Sequence, residues 1–93
     1  MLDVMKIGGI TGWLCAIGQT EAAGLPVSSH LFPEISAQLL AISPQAHWLE
    51  YQDWAARILE RPLELKDGFA LPQEQAGLGL TWDKDAVERY RVC

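Results

Sequence analysis

Three residues whose side chains could do proton chemistry stand at regular intervals in this sequence: Asp3, His30 and Glu50. Asp3 lies 27 residues before His30, and Glu50 lies 20 residues after it. A carboxylate that accepts from one ring nitrogen of an imidazole fixes its tautomer and raises the basicity of the other nitrogen, which is what proton abstraction near neutral pH requires. Each interval is about the length of one strand-helix-strand step. With a crossover helix in each interval, the three residues fall at matching ends of three neighbouring parallel strands, roughly 4.8 Å apart from strand to strand. A carboxylate, an imidazole and a second carboxylate then share one rim.

The elements that must position them read as follows. Val4-Met5-Lys6-Ile7, closed by Gly8-Gly9, predicts a short buried strand ending in a tight turn. Thr11 is the expected N-cap of a helix from about Gly12 to Ala23, with Trp13, Leu14, Ala16, Ile17 and Ala22 as its apolar stripe and Gly24 as its stop. Gly18 inside that helix predicts close packing on a sheet. Leu25 to Ser29 is the second strand, with Pro26 where no ladder donor is needed. Pro33 and Glu34 open a second helix carrying Ile35, Leu39, Leu40 and Ile42, which Ser43-Pro44 ends. His47 to Glu50 is the third strand. Tyr51 to Arg61 is helical or irregular, with Trp54, Ile58 and Leu59 as apolar positions. Pro62 to Leu65 and Phe69 to Leu71 predict a hairpin around Asp67-Gly68. Gly77 to Leu80 reads as loop or edge strand, and Asp83 caps a last short helix with Val87 and Tyr90 on one face.

The order β-α-β-α-β implies an α/β fold with parallel pairing. Crossovers of this kind are right-handed, so both helices land on one face of the sheet and leave the other bare. Parallel sheets are covered on both faces. Three such strands make sense as a wedge of a (β/α) barrel whose bare face points at the barrel axis, which predicts that the chain is the end of a longer protein.

Composition sets the outer limits. The chain has 93 residues, 49% hydrophobic and 20% charged, which is ordinary for a globular domain. A net charge of −5, with few and scattered basic residues, argues against nucleic-acid binding. No apolar run approaches the roughly 20 residues needed to span a bilayer, and no signal-peptide pattern opens the chain, so no membrane role and a cytoplasmic setting are expected. Cys15 and Cys93 form no metal or redox spacing.

Asp3 through Trp13, Ser28-Ser29-His30-Leu31-Phe32 and His47-Trp48-Leu49-Glu50 together resemble the C-terminal part of the mandelate racemase group of the enolase superfamily. The resemblance covers nearly the whole chain, with the same order and spacing of the three key residues. It implies the C-terminal part of a (β/α)7β TIM-like barrel, its last three parallel strands with two crossover helices, followed by a hairpin and a short helix. Residues 1–60 would be the barrel wedge, and residues 61–93 a C-terminal segment returning toward a capping domain.

By the same resemblance His30 is the general base, or the acid on return, at the carbon next to a substrate carboxylate, and Asp3 holds its imidazole. Glu50 is the carboxyl group that hydrogen-bonds the substrate carboxylate as it gains enolate character. To donate it must stay neutral, which burial or nearby negative charge would bring about. The substrate class implied is an acid sugar or 2-hydroxy acid, handled by a dehydratase (a lyase) or a racemase (an isomerase). The family's Mg²⁺ ligands and second base lie on strands this chain does not contain. No metal or cofactor is therefore expected to bind this chain alone, and the isolated 93 residues are expected to be inactive.

Other readings stand beside this one. A lone histidine is more often structural, as expected of His47, and Trp13, Trp48, Trp54 and Trp82 are expected to pack rather than stack on a ligand. A non-catalytic barrel fragment whose bare face drives self-association into a homo-oligomer is the alternative from a different class. A metal-free hydrolase with Ser28 or Ser29 as nucleophile lacks the strand-to-helix turn such sites use.

Overall fold

A computed structural model describes all of residues 1–93. Its regular elements are α1 (Gly9–Ala22), α2 (Pro33–Ala41), a 3-10 turn (Ala56–Ile58), β1 (Glu64–Lys66), β2 (Phe69–Leu71) and α3 (Lys84–Arg89). The three expected parallel strands are reduced to single parallel bridges, Leu2 with Ser29 and Val27 with Ala46, so residues 27–29 lie in the middle. The extended order matches the β-α-β-α-β expectation, but no closed or continuous barrel sheet forms.

The first strand falls earlier than expected. Leu2 is the paired residue, and Val4 to Gly8 form turns, not strand. Asp3 is the reason: its Oδ1 accepts the amide hydrogens of Met5 (2.9 Å) and Lys6 (3.1 Å), and its carbonyl accepts that of Ile7 (2.9 Å), which folds the chain back at once. Helix α1 accordingly starts at Gly9 with Gly8 as a left-handed N-cap and no side-chain cap, so Thr11 does not cap it. The tight turn brings the Ile7 carbonyl oxygen over α1. A Cβ on Gly12 would lie 1.7 Å from that oxygen, so only glycine fits there. Around Gly18, in contrast, a Cβ would meet nothing within 4 Å, so this glycine packs on no sheet, contrary to the sequence expectation.

Helix α2 starts at Pro33 with Glu34 in its first turn, as read from the sequence, and Phe32 in the left-handed region precedes it. Trp13 and Ile17 of α1 meet Leu39 and Leu40 of α2 over Val4 and Val27, and this cluster is the core. Leu14, expected in the apolar stripe, is exposed. Trp13 is fully buried, yet its indole is satisfied: Nε1 donates to Ser43 Oγ (3.1 Å), which donates to the Leu39 carbonyl (2.6 Å) just where α2 ends.

The last third is looser. β1 and β2 pair antiparallel, with Glu64 opposite Leu71 and Lys66 opposite Phe69. Asp67 (φ 51) and Gly68 (φ 80) make the two-residue turn with both φ positive that such hairpins use. Gly77 to Leu80 is loop, held to α2 by Gln38 Nε2 donating to the Leu78 carbonyl (2.6 Å). Leu59 and Trp82 form an antiparallel bridge. Asp83 caps α3, accepting from Ala86 N–H (2.9 Å), but Ala86 is the buried residue there while Val87 and Tyr90 are exposed.

Candidate active site

Asp3, His30 and Glu50 converge where the three extended segments end. Leu2 N–H donates to the Ser28 carbonyl (2.8 Å) and His30 N–H to the Leu2 carbonyl (2.8 Å), which sets the residues following each bridge side by side. The Asp3 carboxylate then reaches the imidazole: Oδ2 lies 2.9 Å from His30 Nδ1. A carboxylate can only accept when ionised, so Nδ1 carries the hydrogen, and in the neutral imidazole Nε2 presents the lone pair. Nε2 faces Glu50, with Oε2 4.0 Å away. The imidazole is 39% exposed, Glu50 is 32% exposed and Asp3 only 10%. The imidazole is thus partly open to solvent while the carboxylate that orients it is shielded.

The hydrogen bond from His30, and then those from the Lys6 and Met5 amides, hold the Asp3 carboxyl below its ordinary value of 3.8 against the opposing effect of burial. Tyr51, next to Glu50 in sequence, has its phenol pushed up by burial first and then by the Asp53 and Glu34 carboxylates. It lines the apolar side of the third segment rather than this site.

Glu50 is aimed by a break in the ladder. Val27 N–H donates to the Gln45 carbonyl (2.7 Å), but Ser29 N–H, two residues on, donates to Trp48 (2.9 Å), three residues on. The third segment thus holds one extra residue, a bulge that turns a different side chain to the rim than regular pairing would. Beyond it, side chains replace the ladder: Ser28 Oγ accepts Trp48 N–H (3.3 Å) and Ser29 Oγ accepts Glu50 N–H (3.0 Å). Ser29 is fully buried in this role, while Ser28 is half-buried.

The Glu50 carboxylate is itself held. Its Oε2 accepts the Leu31 N–H at 2.7 Å. Leu31 (φ 56) and Phe32 (φ 47) are both left-handed, an uncommon conformation for such side chains that is found at functional turns. Sequence reasoning missed this turn and the Leu31 amide; the one local indication was Phe32-Pro33, since a residue before proline is kept out of the right-handed helical region. His47 and Lys6 stand apart. The His47 ring tilts against Trp48 with centroids 4.9 Å apart, and Lys6 contributes only its backbone amide.

The family model described as enolase C-terminal domain-like matches residues 1–86. A crystal structure of an enolase from Bradyrhizobium complexed with magnesium and mandelic acid is 49% identical with a TM-score of 0.91, over 100% of this chain and 26% of that one. The L-talarate dehydratase from Polaromonas sp. JS666 complexed with Mg and L-glucarate is 31% identical with a TM-score of 0.84, over 95% of this chain and 25% of that one. The L-talarate/galactarate dehydratase of Salmonella typhimurium is 30% identical over 84 residues, 90% of this chain and 21% of its own length. The chain thus spans about a quarter of the length of these proteins.

Both crystal structures hold magnesium. The residues here do not fit that ion. Asp3 is committed to His30 and two amides, one Glu50 oxygen is committed to Leu31, and no three His, Cys, Asp or Glu side chains gather elsewhere.

Proposed function

Because this chain belongs to the enolase C-terminal domain-like family, we propose that it supplies the base and a proton donor of an enzyme that removes the α-proton of a carboxylate substrate. The observation that carries this is the 2.9 Å contact of Asp3 Oδ2 with His30 Nδ1, which leaves Nε2 free on the side of Glu50. In the step proposed, His30 Nε2 takes the proton from the carbon next to the carboxylate, and the C–H electron pair moves toward the carboxylate to give an enolate. Asp3 steadies the imidazolium that forms. Glu50, protonated on Oε1, donates to the substrate carboxylate oxygen as negative charge grows there.

The substrate class is an acid sugar or a 2-hydroxy acid. The similar structures named above contain L-glucarate and mandelic acid, both carboxylates with a hydroxyl on the α-carbon. Proton return on the face opposite His30 inverts the α-carbon, as racemisation requires, and loss of a β-hydroxyl gives dehydration; both begin with the same abstraction. Charge on the enolate beyond what Glu50 offsets must be met by groups outside these 93 residues, so the isolated chain is inactive in this proposal.

The test places residues 1–86 in the matching segment of the Salmonella dehydratase and follows exchange of the galactarate α-proton in D₂O with Mg²⁺ present. His30→Asn is expected to slow exchange by about 10²- to 10⁴-fold, the usual worth of a general base. A folded chimera that exchanges equally fast with and without His30 sinks the proposal. A second reading, a self-associating non-catalytic chain, is favoured by one observation, an apolar groove of about 450 Å³ between α2, the third extended segment and the β1–β2 hairpin.

A further inference from the structure

We propose that Ser36 is a positioning residue for Glu50, acting through Leu31 to fix which carboxyl oxygen is offered to the substrate. Ser36 lies in the second turn of α2 and is fully buried. Its own N–H is satisfied by the Phe32 carbonyl at 2.9 Å, so the helix does not need its hydroxyl. That hydroxyl instead donates to the Leu31 carbonyl at 2.9 Å. On the other side of the same Cα, Leu31 N–H donates to Glu50 Oε2 at 2.7 Å.

The two bonds bracket a residue held in a conformation it would not choose alone. Leu31 and the following Phe32 are both left-handed, and such strain persists only where surrounding contacts over-determine it. Fixing the Leu31 carbonyl fixes its backbone angles, and with them the direction of its N–H. Glu50 is fixed at its other end too, because its N–H donates to Ser29 Oγ at 3.0 Å. A buried serine before the turn and a buried serine after it therefore grip Glu50 by backbone and by carboxyl.

The chemical consequence concerns one proton. Oε2 is already an acceptor, so when Glu50 is protonated the hydrogen resides on Oε1, and Oε1 is the oxygen that donates. Without the Ser36 hydroxyl, Leu31 relaxes toward ordinary angles and its N–H swings off Oε2. The carboxyl then rotates, and the two oxygens become equivalent. This role rests on the proposed function of Glu50, but it is read without turnover.

The experiment is native-state hydrogen exchange and amide proton shifts on the 93-residue chain. Ser36→Ala is expected to speed exchange of the Leu31 amide roughly tenfold, the loss of one modest hydrogen bond, while the Val27 amide on the Gln45 carbonyl keeps its rate. A merely structural serine would speed both together, and that result overturns the proposal. In the unsubstituted chain the Leu31 amide shift should respond to the charge on Glu50 across a pH series. Ser36→Ala should shrink that response, and Glu50→Gln should abolish it. The second variant separates Glu50 from His30, whose Nε2 stands 4.0 Å from the same oxygen. A Leu31 shift that ignores Glu50 in the unsubstituted chain overturns the proposal even where Ser36→Ala does not fold. Failure here leaves the His30→Asn chimera to judge the proton-transfer proposal separately.

Discussion

Asp3 divides its two oxygens between the local turn and the imidazole: Oδ1 takes the Met5 and Lys6 amides, and Oδ2 takes His30. Its carboxyl is held below the ordinary value of 3.8, so the folded chain binds this proton less readily than the unfolded one. Stability from Asp3 is therefore fully present above that value and is lost as pH falls through the lower folded value. Asp3→Asn keeps an oxygen for the turn but removes the charge. The urea midpoint of the parent chain should exceed that of Asp3→Asn near neutrality, and the gap should close below about pH 4; a gap constant down to pH 2 would show that His30 gains nothing from the charge. The convergence of Asp3, His30 and Glu50 was legible because their side-chain types and intervals carry information. The Leu31 amide was not, since a backbone donor has no residue identity, and the role of Ser36 depends on a turn whose left-handed angles sequence does not announce.

Among the elements, α1 offers the cleanest comparison because the same substitution at two of its glycines should have opposite signs. At Gly12 a methyl group would meet the Ile7 carbonyl at 1.7 Å, so the turn or the helix start must move. Gly12→Ala should destabilise by about 1–3 kcal/mol, the usual cost of overpacking, and lower the melting temperature. At Gly18 the site is open and the angles are helical, so Gly18→Ala should stabilise by about 0.5–1 kcal/mol through lower entropy of the unfolded chain. Thermal melts of both variants decide it, and equal losses at both positions would mean that α1 is covered along Gly18 as well. The helices and the hairpin were readable from proline, aspartate and glycine punctuation. The first strand was misplaced because Val4 to Ile7 has the composition of a strand, while the Asp3 side chain, one residue earlier, bends the chain into a turn. The bulge before Trp48 was equally hidden, since the His30 to Glu50 interval is the same whether or not one residue is extra.

For the molecule as a whole, covering is the question. Only 14 of 93 residues are buried, and the core is one small cluster between two helices and the extended segments, so much apolar surface stays outside. Trp48 (68% exposed) and Phe69 (70% exposed) flank the apolar groove that Leu40, Ala46, Tyr51 and Leu65 also line. Contiguous apolar patches of this kind mark interfaces, and a stable one needs roughly 800 Å² from each partner. Light scattering across a dilution series should therefore give a mass that rises with concentration. Trp48→Ser with Phe69→Ser should lower that mass at fixed concentration, because those rings bring the most exposed apolar area to the groove. A parent chain that stays monomeric at every concentration and melts cooperatively would mean that the two-helix core suffices alone. Association that ignores both substitutions would move the interface to the unpaired edges at Leu2 and Ala46, where single bridges leave backbone groups free to pair with another chain.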